Sequence, residues 1–93
     1  MSQPDRSQIA RGITDFLRTE TNFRDPALIN ENTRLLELGI LDSLIIMSLV
    51  AFCETTYACQ IPANELAEDF LETPLALAGL VERIRSAAPT GDR

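Results

Sequence analysis

Apolar residues recur at helical spacing in three stretches of this chain, and a long punctuated segment separates the first from the second. Ile9, Ile13, Phe16 and Leu17 stand at i, i+4, i+7 and i+8, which predicts an amphipathic helix from about Asp5 to Glu20. Its polar side carries Arg6, Arg11, Asp15 and Arg18. From Thr21 to Leu41 the period fails, while Asn22, Asp25-Pro26, Asn30 and Asn32 interrupt the chain and Phe23, Leu28, Ile29, Leu35, Leu36 and Leu38 still offer apolar anchors. This reads as a long ordered loop tacked to the core, with room for a short helical turn, and loops of such length are often functional.

Between Ser43 and about Ala58 there is no Gly or Pro, and Ile46, Leu49, Val50, Cys53 and Tyr57 recur at helical spacing. That predicts a second helix at the centre of the core. Ile61-Pro62 breaks the pattern, and Ala63 to Leu71 suits a short helix using Leu66, Ala67 and Phe70. Thr73-Pro74 reads as an N-cap followed by Pro at the first helical position. The last helix runs to about Ser86 and turns Leu77, Leu80, Val81 and Ile84 inward.

The expectation is therefore an all-α bundle of three longer helices and one short third helix, with a long ordered loop between helices 1 and 2. Residues 5–87 form the single domain, and 1–4 and 88–93 are expected to be flexible termini. With 45% apolar residues, no Trp and one Tyr, the core must be mainly aliphatic. No apolar stretch reaches the roughly 18 residues of a membrane span, and MSQPDRSQ lacks the basic and apolar run of a secretion signal, so the default location is cytoplasmic. Cys53 and Cys59 are six apart and the chain has no His, which argues for reduced packing thiols rather than a metal site.

Charge sharpens the picture. Residues 35–82 hold eight acids and no base within a chain of net charge −6. Such a block disfavours nucleic acid and anionic lipid and suits partners with basic docking surfaces, although an acidic surface also serves solubility alone.

The candidate chemistry lies at Asp42-Ser43, between two apolar runs. Either residue could simply start the second helix, since Ser and Asp both accept from free N–H groups there. One cap suffices, and Asp42 is the better one because its charge also complements the helix dipole. Ser43 then takes the first helical position with its hydroxyl free. With no His and no Lys, neither a Ser-His-Asp nor a Ser-Lys arrangement can activate that hydroxyl for catalysis, because Arg stays protonated. Ser43 could still be acted upon, as a helix start favours a phosphate ester.

The run "LELGILDSL" resembles the phosphopantetheine attachment motif of acyl and peptidyl carrier proteins. The helix beginning "DSLIIMSLV", Tyr57 fourteen residues after Ser43, Ile61-Pro62, the acids between Glu65 and Asp69 and the last helix follow that family in order, from about Ile9 to Ile84. The resemblance implies a four-helix carrier-protein bundle that is not an enzyme. It also implies a 4′-phosphopantetheine esterified to Ser43 by a phosphopantetheinyl transferase, with acyl or aminoacyl groups held as thioesters on the arm. The implied partners are that transferase, an adenylating or loading enzyme, and acyl-transferring or condensing enzymes downstream, with no nucleic acid or membrane, and the carrier is expected to act as a monomer.

Two departures from fatty-acid carriers stand out. Ile40 and Leu41, rather than one residue, separate Gly39 from Asp42, and Ile45, Met47 and Ser48 stand where acids are common in those carriers. The Gly-Ile-Leu-Asp-Ser-Leu spacing looks more like D-alanyl carriers and stand-alone aminoacyl carriers of non-ribosomal peptide or polyketide pathways. Gly39 has two readings, a backbone conformation other residues resist or close approach beside the arm, and the first is preferred.

Leu44, Ile45, Ile46 and Met47 sweep around most of the helix, so they cannot all face one core. With Ile46, Leu49, Val50 and Cys53 inward, Ile45, Ser48 and Phe52 tend outward, and Leu44 and Met47 flank them. Asp42, Leu44, Ile45, Met47 and Ser48 are thus the expected partner-binding residues, led by Ile45, unless Leu36, Leu38 or Ile40 of the loop covers them. The competing class is a helical interaction module of the same fold that is never modified.

Overall fold

The structure, a computed structural model, describes residues 4–20 and 26–87. The expected loop markers Asn22, Phe23 and Asp25 and both expected tails beyond Pro4 and Ala87 lie outside the described residues. Four α-helices run in the order α1 (Arg6–Glu20), α2 (Ser43–Tyr57), α3 (Glu68–Leu71) and α4 (Pro74–Ala87), with 3-10 turns at Pro26–Leu28 and Ala63–Glu65 and no strand among the described residues. This is the all-α bundle that the hydrophobic spacing predicts.

Both outer helices begin on side-chain caps. The Asp5 carboxylate accepts from Gln8 N and the Gln8 side chain accepts from Asp5 N, both at 2.9 Å, a reciprocal pair that satisfies two otherwise free donors. At α4, Thr73 Oγ1 accepts from Ala76 N at 3.0 Å, so Thr73-Pro74 starts the helix as expected. One core joins the bundle: Ile9, Ile13 and Leu17 of α1 meet Leu49 and Cys53 of α2 and Leu77, Leu80 and Val81 of α4, all fully or almost fully buried.

Gly12 of α1 makes room for the Tyr57 and Phe52 rings of α2. A Cβ there would stand 2.2 Å from the Tyr57 hydroxyl, which donates to Ile9 O at 3.4 Å. Any larger residue at position 12 displaces that ring.

The short helix expected over Ala63–Leu71 is two pieces, with Leu66 (φ −90°, ψ 71°) and Ala67 (φ −82°, ψ 161°) out of helical conformation between them. Arg83 shows why the break is useful. Its guanidinium pairs with Glu65 Oε1 at 2.6 Å and lies 5.3 Å from the Phe70 ring centre. Residues five apart on a continuous helix point about 140° away from each other, so only a broken segment lets both reach one cation.

The loop before α2 is ordered and is stitched to the start of α4. Leu35 N donates to Glu72 O at 2.8 Å and Leu75 N donates to Glu31 O at 3.0 Å. Ile29, Leu35 and Ile40 are its buried anchors. Leu28, Leu36 and Leu38, expected as anchors, are exposed instead. Leu35 and Ile40 already fill the core side of the turn, so its remaining leucines point out.

The phase of α2 also differs from expectation. Ile45, Leu49, Phe52 and Cys53 face the core, with Phe52 stacked on Phe16 at 4.6 Å between ring centres. Of the expected inward residues, Leu49, Val50 and Cys53 do meet the core, whereas Ile46 gives way to Ile45 and the stripe widens on that side to take in Phe52. Ile45 is consequently half-buried against the core rather than leading the outer face, and Phe52 packs inward rather than tending outward.

Candidate attachment site

Ser43 is placed by two successive backbone devices. Leu38 N donates to Arg34 O, Gly39 N to Leu36 O and Ile40 N to Leu35 O, at 3.1, 3.3 and 3.1 Å. These bonds make a single helical turn closed by a left-handed residue, and Gly39 supplies it with φ +69°. Apart from Gly39 and its two chain neighbours, no heavy atom lies within 4 Å of a Cβ built there, so conformation and not crowding requires glycine. The closure drives Ile40 into the core beside Leu35, and Leu41 follows, half-buried against the same cluster.

Asp42 then caps α2. Its backbone is extended (φ −117°, ψ 179°), its Oδ1 accepts from Ile45 N at 2.8 Å, and its carbonyl accepts from Ile46 N at 2.9 Å. Ser43 is left at the first helical position, exposed to solvent. Among the described residues, no protein group accepts from the N–H of Ser43 or Leu44. Two free donors and the positive end of a 15-residue helix therefore lie beside the hydroxyl. That is a favourable setting for a phosphate ester.

The surface around Ser43 is apolar and open. Leu44 is 73% exposed and Met47 69% exposed, so no part of the loop covers them. Both stand on the outer side of α2, and Ala51 and Thr55, also exposed, continue that face along the helix. Leu36 and Leu38 of the preceding turn add further exposed apolar surface at 39% and 53%. Asp42 is exposed, whereas Ser48 is half-buried on the flank. The structure thus brings Asp42, Ser43, Leu44 and Met47 together, and moves Ile45 to the inner side.

The Leu36 and Leu38 contribution was the part hidden from the sequence. The signal that could have revealed it was Gly39 itself, because a glycine closing a turn fixes which of the flanking leucines points inward. Likewise Leu41, Ile45, Leu49 and Cys53, each four apart, already spell the true inner stripe of α2.

Nothing nearby could make Ser43 a nucleophile unaided. The chain has no His or Lys, and the nearest preceding cation, Arg34, is held by Glu37 at 2.8 Å and Glu72 at 3.8 Å. Burial pushes the Cys53 thiol up to about 12 and also raises that of Cys59. Neither is a ready thiolate at neutral pH, and no cluster of metal-ligating side chains occurs among the described residues. No helix among them is long and apolar enough to cross a membrane.

Comparison with known proteins agrees with this geometry. The family model "Phosphopantetheine attachment site" matches residues 11–81. A search of curated proteins finds no match. One similar solved chain belongs to a structure described as "Crystal structure of FAD-dependent dehydrogenase"; it is 34% identical with a TM-score of 0.61, over 76% of this chain and 94% of that one. The aligned part is the larger share of that chain, so that chain is shorter than this one. From its four-helix bundle and the family match over residues 11–81, this chain belongs to the phosphopantetheine-attachment family of carrier proteins, whose members bear a covalent 4′-phosphopantetheine.

Proposed function

We propose that Ser43 is the attachment residue and that the protein is a carrier for an acyl or aminoacyl group in a biosynthetic pathway. The observation that supports this most is the exposed Ser43 at the first position of α2, with Asp42 doing the capping in its place. The arm supplies a terminal thiol on which the cargo is held as a thioester. The chain's own part is to present the Ser43 hydroxyl, stabilise the ester's charge with the free N–H groups of the first turn, and offer a face to the enzymes. The proton of that hydroxyl leaves to a base of the transferase, since this chain has no His or Lys and the adjacent Asp42 carboxylate is engaged in capping α2.

The cargo class follows from the departures around the motif. The Gly39-Ile40-Leu41-Asp42-Ser43-Leu44 spacing and the uncharged first turns of α2 favour a stand-alone aminoacyl or D-alanyl-type carrier in a non-ribosomal peptide, polyketide or other secondary-metabolite pathway. An adenylating enzyme loads it, and acyl-transferring or condensing enzymes unload it. A flavin-dependent dehydrogenase is a further proposed partner, because a similar chain occurs in a crystal structure that bears that enzyme's name. Docking is led by Leu44 and Met47, with Asp42, Ile45 and Ser48 at the margin, and the carrier works as a cytoplasmic monomer.

The test is to incubate the protein with a broad-specificity phosphopantetheinyl transferase and coenzyme A and weigh it intact. The native chain should gain one phosphopantetheinyl group and Ser43→Ala none, with an unchanged helical spectrum. An unshifted native mass would favour the unmodified interaction module, and an equal shift in Ser43→Ala would move the attachment elsewhere.

A further inference from the structure

Three side chains among the described residues carry sulfur, and two of them are shielded. Cys53 has no exposed surface, Cys59 is half-buried, and burial keeps both as thiols at neutral pH. Peroxides attack the thiolate, so these two react slowly. The Met47 thioether has no proton to lose, its reactivity follows access, and it is mostly exposed.

Position makes this matter. Met47 stands four residues after Ser43 and three after Leu44, so the three side chains lie within one turn on the outer side of α2. An enzyme that engages the Ser43 hydroxyl must cover that turn. Met47 has no place in the core, so chemistry at its sulfur alters the face without loosening the fold.

We infer that Met47 is an oxidation site on the docking face, and that its conversion to the sulfoxide by a peroxide lowers acceptance of Ser43 by the enzymes that act there. The inference rests on the reading of Ser43 as the attachment residue. In the step, the sulfur attacks one peroxide oxygen, the O–O bond breaks, and an S–O bond forms. Sulfur is oxidised by two electrons and the other oxygen leaves as water or an alcohol. The product is a strong hydrogen-bond acceptor where the partner presents apolar surface, and burying it unpaired is unfavourable.

The experiment treats the unmodified protein with limiting hydrogen peroxide and locates the added oxygen by peptide mapping. The transferase and coenzyme A are then added, and modification is followed by intact mass. Oxygen should appear on Met47, and on Met1 at the chain start, before either cysteine. kcat/KM for modification should fall about fivefold to tenfold, the scale of one lost apolar contact. Met47→Leu, which keeps Met1, should be modified at the same rate before and after peroxide. Met47→Gln, a polar mimic, should be slow without peroxide.

Oxidation of Cys53 or Cys59 ahead of Met47, or an equal loss in treated Met47→Leu, would overturn the inference. So would full-rate modification of the oxidised native chain, which sinks the inference alone. Failure of the untreated native chain to gain the arm sinks the reading of Ser43 and this inference with it.

Discussion

The two ends of α2 are built on opposite plans. At its C-terminal end the helix is tied to everything around it: the Tyr57 hydroxyl donates to Ile9 O, Arg85 donates to Tyr57 O, and Glu54 Oε2 accepts from Ile61 N at 2.9 Å. At its N-terminal end the side-chain bond is local, from Ile45 N to Asp42, and Leu44 and Met47 point away from the protein. The two ends are about 21 Å apart along the axis. One end holds the bundle together and the other is left exposed, so if the proposed docking face is right, stability and docking should respond to different substitutions.

The largest effect is expected where the two plans meet, at Leu49. This side chain has no exposed surface and sits at the centre of the inner stripe. Leu49→Ala should cost about 2 to 5 kcal/mol through the lost contacts and the cavity left behind. For a domain this small that is a large part of the total stability. Thermal or urea unfolding followed by circular dichroism measures it, and a loss under 1 kcal/mol would show that α2 is not the core helix described here. Any loss of loading in this variant then reports on folding.

Leu44 tests the other plan. Leu44→Asp places a charge on a mostly exposed residue outside the core, so the unfolding midpoint should barely move. kcat/KM for the transferase should fall about tenfold or more, the equivalent of about 1.4 kcal/mol of lost contact and added desolvation. Normal modification kinetics would show that enzymes approach Ser43 from another side. Ile45→Asp, the choice the sequence favours, is a poorer probe, because Ile45 packs on the core and its loss mixes folding with recognition.

That difference shows where the sequence is legible. In α1 the apolar residues occupy one stripe and arginines the other, so periodicity alone orients the helix. From Leu44 to Val50 only Ser48 is polar, so that stretch alone fits two stripes, and the four-residue spacing of Leu41, Ile45, Leu49 and Cys53 together with the packing of Phe52 on Phe16 marks the one adopted. The local geometry of the candidate site was legible for the opposite reason. Asp42-Ser43 acts through caps and local backbone bonds, which depend on neighbours within four residues. The loop's exposed leucines were less legible, since the period fails there and Gly39, whose left-handed closure turns Leu35 and Ile40 inward, is the local sign of which leucines are left outside.

The smallest effect should come from the tied end, at Ala58. It terminates α2 with φ 51° and ψ 52°, left-handed backbone that costs an L-residue with a side chain about 1 to 2 kcal/mol. Its N–H donates to Glu54 O and Cys59 N donates to the same carbonyl at 3.3 Å, so the conformation is held by hydrogen bonds that close the helix. Ala58 is itself exposed, so removing its methyl group opens no cavity. Ala58→Gly relieves the strain but gives the unfolded chain more freedom, and the balance should stabilise the protein by about 0.5 to 1 kcal/mol. That corresponds to a rise of a few degrees in Tm for a domain of this size. The rate of modification at Ser43 should not change, because the first turn of α2 is held by Asp42 and not by its far end. A variant that melted higher yet was modified more slowly would couple the two ends and break the division between them.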